Sequence, residues 1–231
     1  MSLWSRIADA LAALRSGEGL ANVFDKLRTP PEQRVGFAIA VIALGAKMAK
    51  ADGQVTRDEV MAFREVFSIP KGEEQNAARV FNMARTDVAG YEDYAARVAR
   101  MFGPGSATLC DVIEGLFHIA MADGEYHPGE DMYLARVAEL FGIDERRFRA
   151  MRARFVPGGR ADPFEVLGVD PDTPMADIRA AYRALVRDTH PDALAARGVP
   201  PEAVKLAEDR LICINNAWDE VQALRLEDKP A

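Results

Sequence analysis

Residues 178–192 read IRAAYRALVRDTHPD, and this stretch decides the fold of the carboxyl-terminal part of the chain. Its apolar residues recur at the spacing of one helix face. The other face carries three arginines at intervals of four residues, here called the arginine stripe: Arg179, Arg183 and Arg187. Upstream, Thr173 can cap a helix and Pro174 suits the first helical position. The sequence therefore predicts a helix that runs from there to about Asp188.

The tripeptide His190-Pro191-Asp192, here called the HPD turn, follows this helix. Pro191 fixes its own φ and limits the conformation of the residues before it. After an extended loop over residues 193–201, apolar residues step by 4, 3, 4 and 3 positions: Ala207, Leu211, Ile214, Trp218 and Val221. This spacing predicts a long helix that packs back on the first one. The HPD turn would then lie exposed at the tip of an antiparallel hairpin.

The composition of the whole chain is that of a helical globular protein. Of its 231 residues, 49% are hydrophobic and 28% are charged, which provides a core and excludes disorder as the main state. Alternating β-branched or aromatic residues are scarce, so we expect an all-α protein. Pro and Gly break the helical pattern at four places: residues 29–31, 69–72, 103–105 and 156–159.

The break at residues 156–159 is the best candidate for a domain boundary. Residues 162–231 hold 8 basic and 14 acidic side chains, whereas the residues before them hold 21 and 22. We therefore expect two domains with separate surfaces. The predicted organisation is an amphipathic amino-terminal segment, a helical domain, a linker and a second domain, over residues 1–28, 29–156, 157–161 and 162–231.

The charge pattern limits the binding partners and the location. A net charge of -7 argues against nucleic acid or an anionic membrane as a partner, because both would be repelled. The longest charge-free stretch, residues 35–46, falls short of the roughly 20 residues that span a bilayer and predicts a buried helix. The apolar residues of segment 1–28 are interrupted by charges. Docking of this segment on the chain's own domain is favoured, and a membrane-surface contact stays open.

Cys110 and Cys213 are far apart in sequence, which favours a reducing compartment, so we expect a cytoplasmic protein.

An internal repeat marks the first of these domains. Residues 48–55 read MAKADGQV and residues 119–126 read IAMADGEY, an offset of 71 positions. In each copy an apolar helix ends in Ala-Asp-Gly, a short turn follows, and a second amphipathic helix carries an early glutamate. The repeat therefore predicts two helix pairs.

The carboxylates of the two repeat turns allow two interpretations. The early glutamate of each copy can cap its own helix, with Thr56 or Pro128 near the helix start. The same turns could instead offer oxygen ligands to a hard cation or form an acidic docking surface. Four candidate ligands result: Asp52, Glu59, Asp123 and Glu130. The spacing matches no twelve-residue calcium loop, and His118 and His127 lack a second zinc ligand at the usual spacing, so capping is favoured and no cofactor is expected.

Two known folds resemble these domains. The repeated Ala-Asp-Gly turns, each followed by a helix with an early glutamate, resemble the TerB-like fold, named for tellurite-resistance proteins, over roughly residues 30–153. The second domain resembles the J-domain of DnaJ-type co-chaperones. Four elements carry this second resemblance in order and spacing: FEVLGV at 164–169, IRAAYRAL at 178–185, HPD at 190–192 and INNAW at 214–218.

The combination of the two domains is similar to the DjlA-like co-chaperones. Those proteins begin with a membrane-spanning helix, which the charged residues 1–28 cannot form, so membrane attachment does not carry over. The resemblance implies that the chain is not an enzyme but activates a DnaK-type chaperone ATPase. The arginine stripe would dock on that partner, and the HPD turn would promote its ATP hydrolysis. The TerB-like domain would be a targeting or interaction module.

Three other functions stay open on the residues alone. His190 and Asp192 could carry acid–base catalysis, although no nucleophile, Gly-rich phosphate loop or metal cluster accompanies them. The arginine stripe could belong to a helix-turn-helix that binds DNA, which the net charge of the domain opposes. The third alternative is a TerB-type stress-response scaffold that binds a cation or a protein partner and uses the J-domain as a secondary recruiter.

Overall fold

The structure is a computed structural model that describes residues 32–51, 90–156, 162–197, 199 and 205–227. These residues form nine α-helices and no strand, which confirms the predicted all-α fold. In chain order the helices are α1 Glu32–Ala51, α2 Tyr91–Phe102, α3 Ala107–Ala120, α4 Pro128–Leu140, α5 Glu145–Phe155, α6 Pro163–Leu167, α7 Met175–Thr189, α8 Pro191–Ala196 and α9 Lys205–Glu227. Helices α1–α5 are called the first helix group and α6–α9 the second. The predicted segment 1–28, the linker 157–161 and most of the first repeat copy lie outside the described residues.

Helix α1 supplies the central apolar surface of the first helix group. The charge-free stretch 35–46 falls within it, and residues 40–46 are buried as predicted. The helix contacts α2, α3 and α4, which suits an apolar segment with no polar face. A Cβ atom at Gly45 would lie 3.2 Å from Cδ1 of Ile119, so this glycine allows α3 to pack closely on α1.

Aromatic side chains connect the other helices of this group. Phe117 of α3 is fully buried, and its ring centroid lies 5.6 Å from that of Phe148 and 5.7 Å from that of Phe155, both on α5. Tyr133 of α4 is buried, and its hydroxyl donates a hydrogen bond of 2.8 Å to the carbonyl oxygen of Leu44. A buried hydroxyl requires such a partner, and this one fixes α4 against α1.

Helices α3 and α4 form the helix pair that the second repeat copy predicts. Pro128 opens α4, and the Glu130 carboxylate accepts a hydrogen bond from the backbone N–H of His127 at 2.9 Å. The predicted start of this helix is therefore confirmed. The helix pair expected from the first copy lies outside the described residues beyond Ala51.

The second helix group contains the predicted hairpin. Helices α7 and α9 contact each other and enclose a small core with α6 around Ile178, Ile214 and Val221. Arg225, near the end of α9, donates a hydrogen bond of 2.9 Å to the carbonyl oxygen of Thr173, which precedes α7. The two long helices therefore run antiparallel. Gly168 closes α6 with φ +68°, the left-handed conformation that favours glycine.

Two local predictions for this group are wrong. Helix α7 begins at Met175, one residue later than expected, and the Thr173 hydroxyl accepts a hydrogen bond from the N–H of Asp170 instead of capping α7. The start of the expected loop 193–201 belongs to helix α8. Pro191 at the first helical position and a run of good helix formers after it account for this short helix.

The surfaces of the two helix groups are in contact, contrary to the expectation of separate surfaces. Helices α6 and α9 pack against α5. Leu194, Val199 and Ala207, which follow the HPD turn, are buried in the hydrophobic core of the first group. Arg197 and Arg210 form ion pairs with carboxylates of α3. The expectation failed because charges summed over each domain do not indicate which charges face each other.

We expect Tyr133→Phe to lower the free energy of unfolding by about 0.5–1.5 kcal/mol, because it removes the hydrogen bond to Leu44 and leaves the aromatic packing in place. Urea unfolding followed by circular dichroism measures the change. The ring of Tyr91 contacts that of Tyr133 at a tilt of 41°, with centroids 4.5 Å apart, and Tyr91→Phe is the matched control, expected within about 0.5 kcal/mol of the unaltered chain. Equal losses of unfolding free energy in the two variants would contradict a stabilising role for the hydrogen bond from Tyr133 to Leu44.

Cys110 of α3 should be almost inert toward alkylation in the folded protein. Burial raises the pKa of its thiol from 9.0 to about 11. At pH 8 this shift lowers the thiolate fraction about 100-fold, and only the thiolate reacts with iodoacetamide. Mass spectrometry of the Cys110 peptide, after labelling with and without urea, measures the ratio of rates. Similar rates in the folded and unfolded chain would show that the thiol is accessible and its pKa ordinary.

Candidate partner-binding site

The arginine stripe lies on the exposed side of α7. Arg179, Arg183 and Arg187 are all exposed, and the guanidinium group of Arg179 lies 6.0 Å from the centre of the Trp218 ring. Arg187 lies 3.8 Å from the carboxylate of the adjacent Asp188, with 75% of its own side chain exposed. Arg183 forms no ion pair with any residue that the structure describes. Three guanidinium groups are therefore presented to solvent along one edge.

The opposite side of α7 fixes the direction in which the stripe faces. Ile178 is fully buried in the core of the second group. The ring of Tyr182 stacks on Trp218 with centroids 4.8 Å apart, and its hydroxyl donates a hydrogen bond of 3.1 Å to the side-chain oxygen of Asn215. These contacts prevent rotation of α7 about its axis, because rotation would expose the apolar face.

The HPD turn connects α7 and α8 and is exposed. The side chains of His190 and Asp192 are 62% and 95% exposed. His190 caps α8, since its Nδ1 accepts a hydrogen bond of 3.2 Å from the backbone N–H of Asp192. A neutral imidazole that accepts at Nδ1 carries its proton on Nε2. The turn therefore offers an imidazole and a carboxylate to solvent in a defined backbone conformation.

Both ends of the HPD turn are anchored. Thr189 is buried on the α7 side, and its hydroxyl donates a hydrogen bond of 2.7 Å to the carbonyl oxygen of Leu185. Leu194 is buried on the α8 side, and its N–H donates a hydrogen bond of 3.0 Å to the carbonyl oxygen of His190. The HPD turn is therefore exposed, while the residues on both sides of it are held in place.

Of the four candidate cation ligands, the structure describes Asp123 and Glu130, and each of them stabilises its own turn or helix start. Asp123 accepts a hydrogen bond of 3.0 Å from the N–H of Glu125 and so stabilises its own turn. Glu130 is 2% exposed and its carboxylate caps α4. Asp52 and Glu59 lie outside the part of the chain that the structure describes. Within that part, no group of three or more His, Cys, Asp or Glu side chains is arranged to hold a metal ion.

A buried ionic cluster between the two helix groups was missed by the sequence analysis. Asp111 and Glu114 of α3 supply its carboxylates, and the first is bound by Arg197 through two hydrogen bonds of 2.7 and 3.2 Å. Arg154 of α5 lies 3.3 Å from Glu114, and Arg210 of α9 pairs with both carboxylates. The available signal was that these are the two acidic residues in the otherwise apolar sequence of α3.

Burial changes the pKa values in this cluster in the expected directions. Loss of solvent raises the pKa of Asp111, while the charges of Arg197 and Arg210 oppose that rise. Burial also lowers the pKa of Arg210 and lowers that of Arg154 to about 10. Arg154 stays cationic at neutral pH, because even its lowered pKa is well above 7. The arginines lie within ion-pair distance of the two carboxylates, and the charges of Arg197 and Arg210 oppose the effect of burial on Asp111.

A cavity of about 400 Å³ lies beside this cluster at the junction of the two groups. Its lining includes Cys110, Gly168 and Thr189 together with the carboxylates and guanidinium groups just described. The lining carries five arginines and four carboxylates in all, and the buried ones among them already pair with one another.

None of the helices that the structure describes combines the length and the apolar character needed to cross a bilayer.

Two family models match the chain. The model of tellurite resistance protein TerB matches residues 38–153, and the DnaJ domain model matches residues 162–223. The first match therefore contains helices α2–α4 completely, and the second contains the arginine stripe and the HPD turn. No solved structure matches the chain.

Several similar proteins share one name. The co-chaperone protein DjlA of Photobacterium profundum is 28% identical over 217 residues, which cover 83% of this chain and 78% of the relative. The DjlA of Coxiella burnetii is 29% identical over 77% of this chain and 73% of its own length. The DjlA of Escherichia coli is 25% identical over 96% of this chain and 98% of the relative. The TerB match, the DnaJ match and these similarities over most of the chain together show that the chain belongs to the DjlA-like J-domain co-chaperones, with a TerB domain ahead of the J-domain.

Proposed function

We propose that this co-chaperone docks on a DnaK-type chaperone and stimulates its ATP hydrolysis through the HPD turn. The observation that carries the proposal is that the HPD turn directly follows the helix that carries the arginine stripe, and that both are exposed. The first group packs on α6, α8 and α9 and leaves that side open. A partner can therefore reach both features at once.

The arginine stripe supports an electrostatic role in docking. Arginine guanidinium groups form hydrogen bonds with carboxylates in a planar, bidentate geometry, so the matching surface on the partner would be acidic. The stripe is a local concentration of positive charge, because residues 162–231 as a whole are acidic, with 8 basic against 14 acidic side chains. Such a stripe accelerates encounter with an acidic surface and fixes the orientation of docking more than it adds affinity.

The HPD turn supports an allosteric role. His190 and Asp192 contribute little to the packing of this chain, because most of each side chain is exposed. Their polar groups are available to the partner, and their contact would favour the hydrolysing state of the partner's ATPase. The bond that breaks is in ATP held by the partner, so this chain acts as an activator and not as an enzyme.

The domain boundaries 29–156 and 162–231 and the cytoplasmic location belong to the same proposal. Neither Cys110 nor Cys213 forms a disulfide, which supports a reducing compartment. The first domain would act as a targeting or interaction module, since its contact with the J-domain leaves the docking face open. A membrane-surface contact by residues 1–28 is not part of the proposal.

His190→Gln should abolish the stimulation of a DnaK-type ATPase and leave the fold intact, because the side chain is exposed. Single-turnover ATP hydrolysis with candidate DnaK chaperones measures stimulation, and circular dichroism checks the fold. His127 is a second half-exposed histidine at a helix start, so His127→Gln is the matched control and should stimulate normally. Equal stimulation by the unaltered chain and His190→Gln would refute the assignment of His190.

Arg183→Glu should weaken docking mainly by lowering the association rate, by about tenfold at low salt, with a smaller defect as salt rises. Surface plasmon resonance with immobilised DnaK, at several salt concentrations, separates the rate constants. Arg149 is exposed on α5, away from the stripe, and Arg149→Glu is the matched control. A loss of affinity that does not depend on salt would instead indicate damaged packing.

A further inference from the structure

We infer that the TerB domain positions the HPD turn through the ion pair between Asp111 and Arg197. This inference rests on the proposed function, and it assigns Arg197 as a positioning residue that acts through the backbone of α7. The TerB domain would then be part of the activating machinery in addition to any targeting role.

The geometry of Arg197 connects the two domains directly to the end of α7. Its Nε and Nη2 atoms donate hydrogen bonds of 2.7 and 3.2 Å to the two carboxylate oxygens of Asp111 on α3. The same Nη2 donates a hydrogen bond of 2.8 Å to the carbonyl oxygen of Asp188. Asp188 lies two residues before His190, in the last turn of α7. One guanidinium group therefore holds this turn against the TerB domain.

The other flank of the HPD turn is held by apolar contacts with the same domain. Leu194 of α8 is 2% exposed and Val199 is 3% exposed, and both belong to the hydrophobic core of the first helix group. The TerB domain thus contacts the chain on both sides of residues 190–192. The conformational freedom of the turn is reduced before any partner binds, which lowers the entropy cost of an ordered contact.

Asp111 and Arg197 are buried, so the stability of their ion pair depends on how well the two groups are aligned. The side chains of Asp111 and Arg197 are 6% and 19% exposed. A buried carboxylate without a cation is costly, but Arg210 also lies 3.6 Å from Asp111 and would still compensate its charge if Arg197 were replaced. Removal of the Arg197 guanidinium should therefore release the end of α7 without expelling Asp111 from the interface.

The position of the contact favours activation over inhibition. A contact that held the J-domain inactive would cover the arginine stripe or the HPD turn. Instead, Arg197 and Leu194 lie behind the turn, while His190 and Asp192 are exposed. The TerB domain therefore holds residues next to the HPD turn and leaves His190 and Asp192 accessible to a partner.

The test compares Arg197→Gln and Asp111→Asn with the unaltered full-length chain and with Arg149→Gln as the matched control. We measure DnaK ATPase stimulation as a function of co-chaperone concentration. Both variants should lower the stimulated rate at saturation about twofold to thirtyfold, the range expected for coupling through a packed network, and leave the half-saturating concentration unchanged. If the variants were merely less well folded, the result would be the opposite. The half-saturating concentration of co-chaperone would rise, and the stimulated rate at saturation would stay unchanged. An unchanged plateau overturns the inference, and a higher plateau overturns it in favour of an inhibitory contact.

Amide hydrogen exchange gives a second readout that needs no partner. Protection of the backbone amides of residue 190 and residues 192–194 should fall in Arg197→Gln and Asp111→Asn but not in Arg149→Gln. Unchanged protection overturns the inference. If the unaltered chain stimulates no DnaK, the proposed function fails, whereas the exchange measurement still decides whether the TerB domain orders the turn.

Discussion

The relative placement of the two domains depends on two carboxylates that lie on an otherwise apolar helix. Asp111 and Glu114 of α3 are buried, and three arginines from α5, the α8–α9 segment and α9 compensate them. Charges removed from water are costly unless each has an oppositely charged partner with good geometry. Separation of the domains would break the pairs that Arg197 and Arg210 form, whereas Arg154 would stay with Glu114 in the first group, so the interface is specified by charge pairing as well as by apolar burial.

This interface explains which face of the J-domain stays open. The TerB domain buries Leu194, Val199 and Ala207, whereas the arginine stripe is exposed. The stripe and the HPD turn are exposed because the surfaces that pack on the first group belong to α6, α8 and α9. The same interface reaches the flanks of the HPD turn, so the TerB domain is a neighbour of His190 and Asp192.

Much of the candidate site could be predicted from the sequence, because its features are local. Residues 178–192 contain the helix period, the arginine spacing and the proline-restricted turn, and exposure of the turn follows from the hairpin. Helix α8 was missed, since a six-residue helix with three glycine or proline positions soon after it has a weak pattern. The carboxylates Asp123 and Glu130 were interpreted as turn and cap residues, and their hydrogen bonds agree with that interpretation.

By itself, the sequence determined the all-α fold, the buried helix over residues 35–46, the α3–α4 pair, the hairpin and the membership of two domain families. These features depend on periodicity and on neighbours within a few positions, which a single sequence records directly. Only the tertiary structure decided that Asp111 meets Arg197 and that the two domains share a core. Those residues are 86 positions apart, and a sequence that shows each charge does not show which distant charge lies opposite it when both are buried.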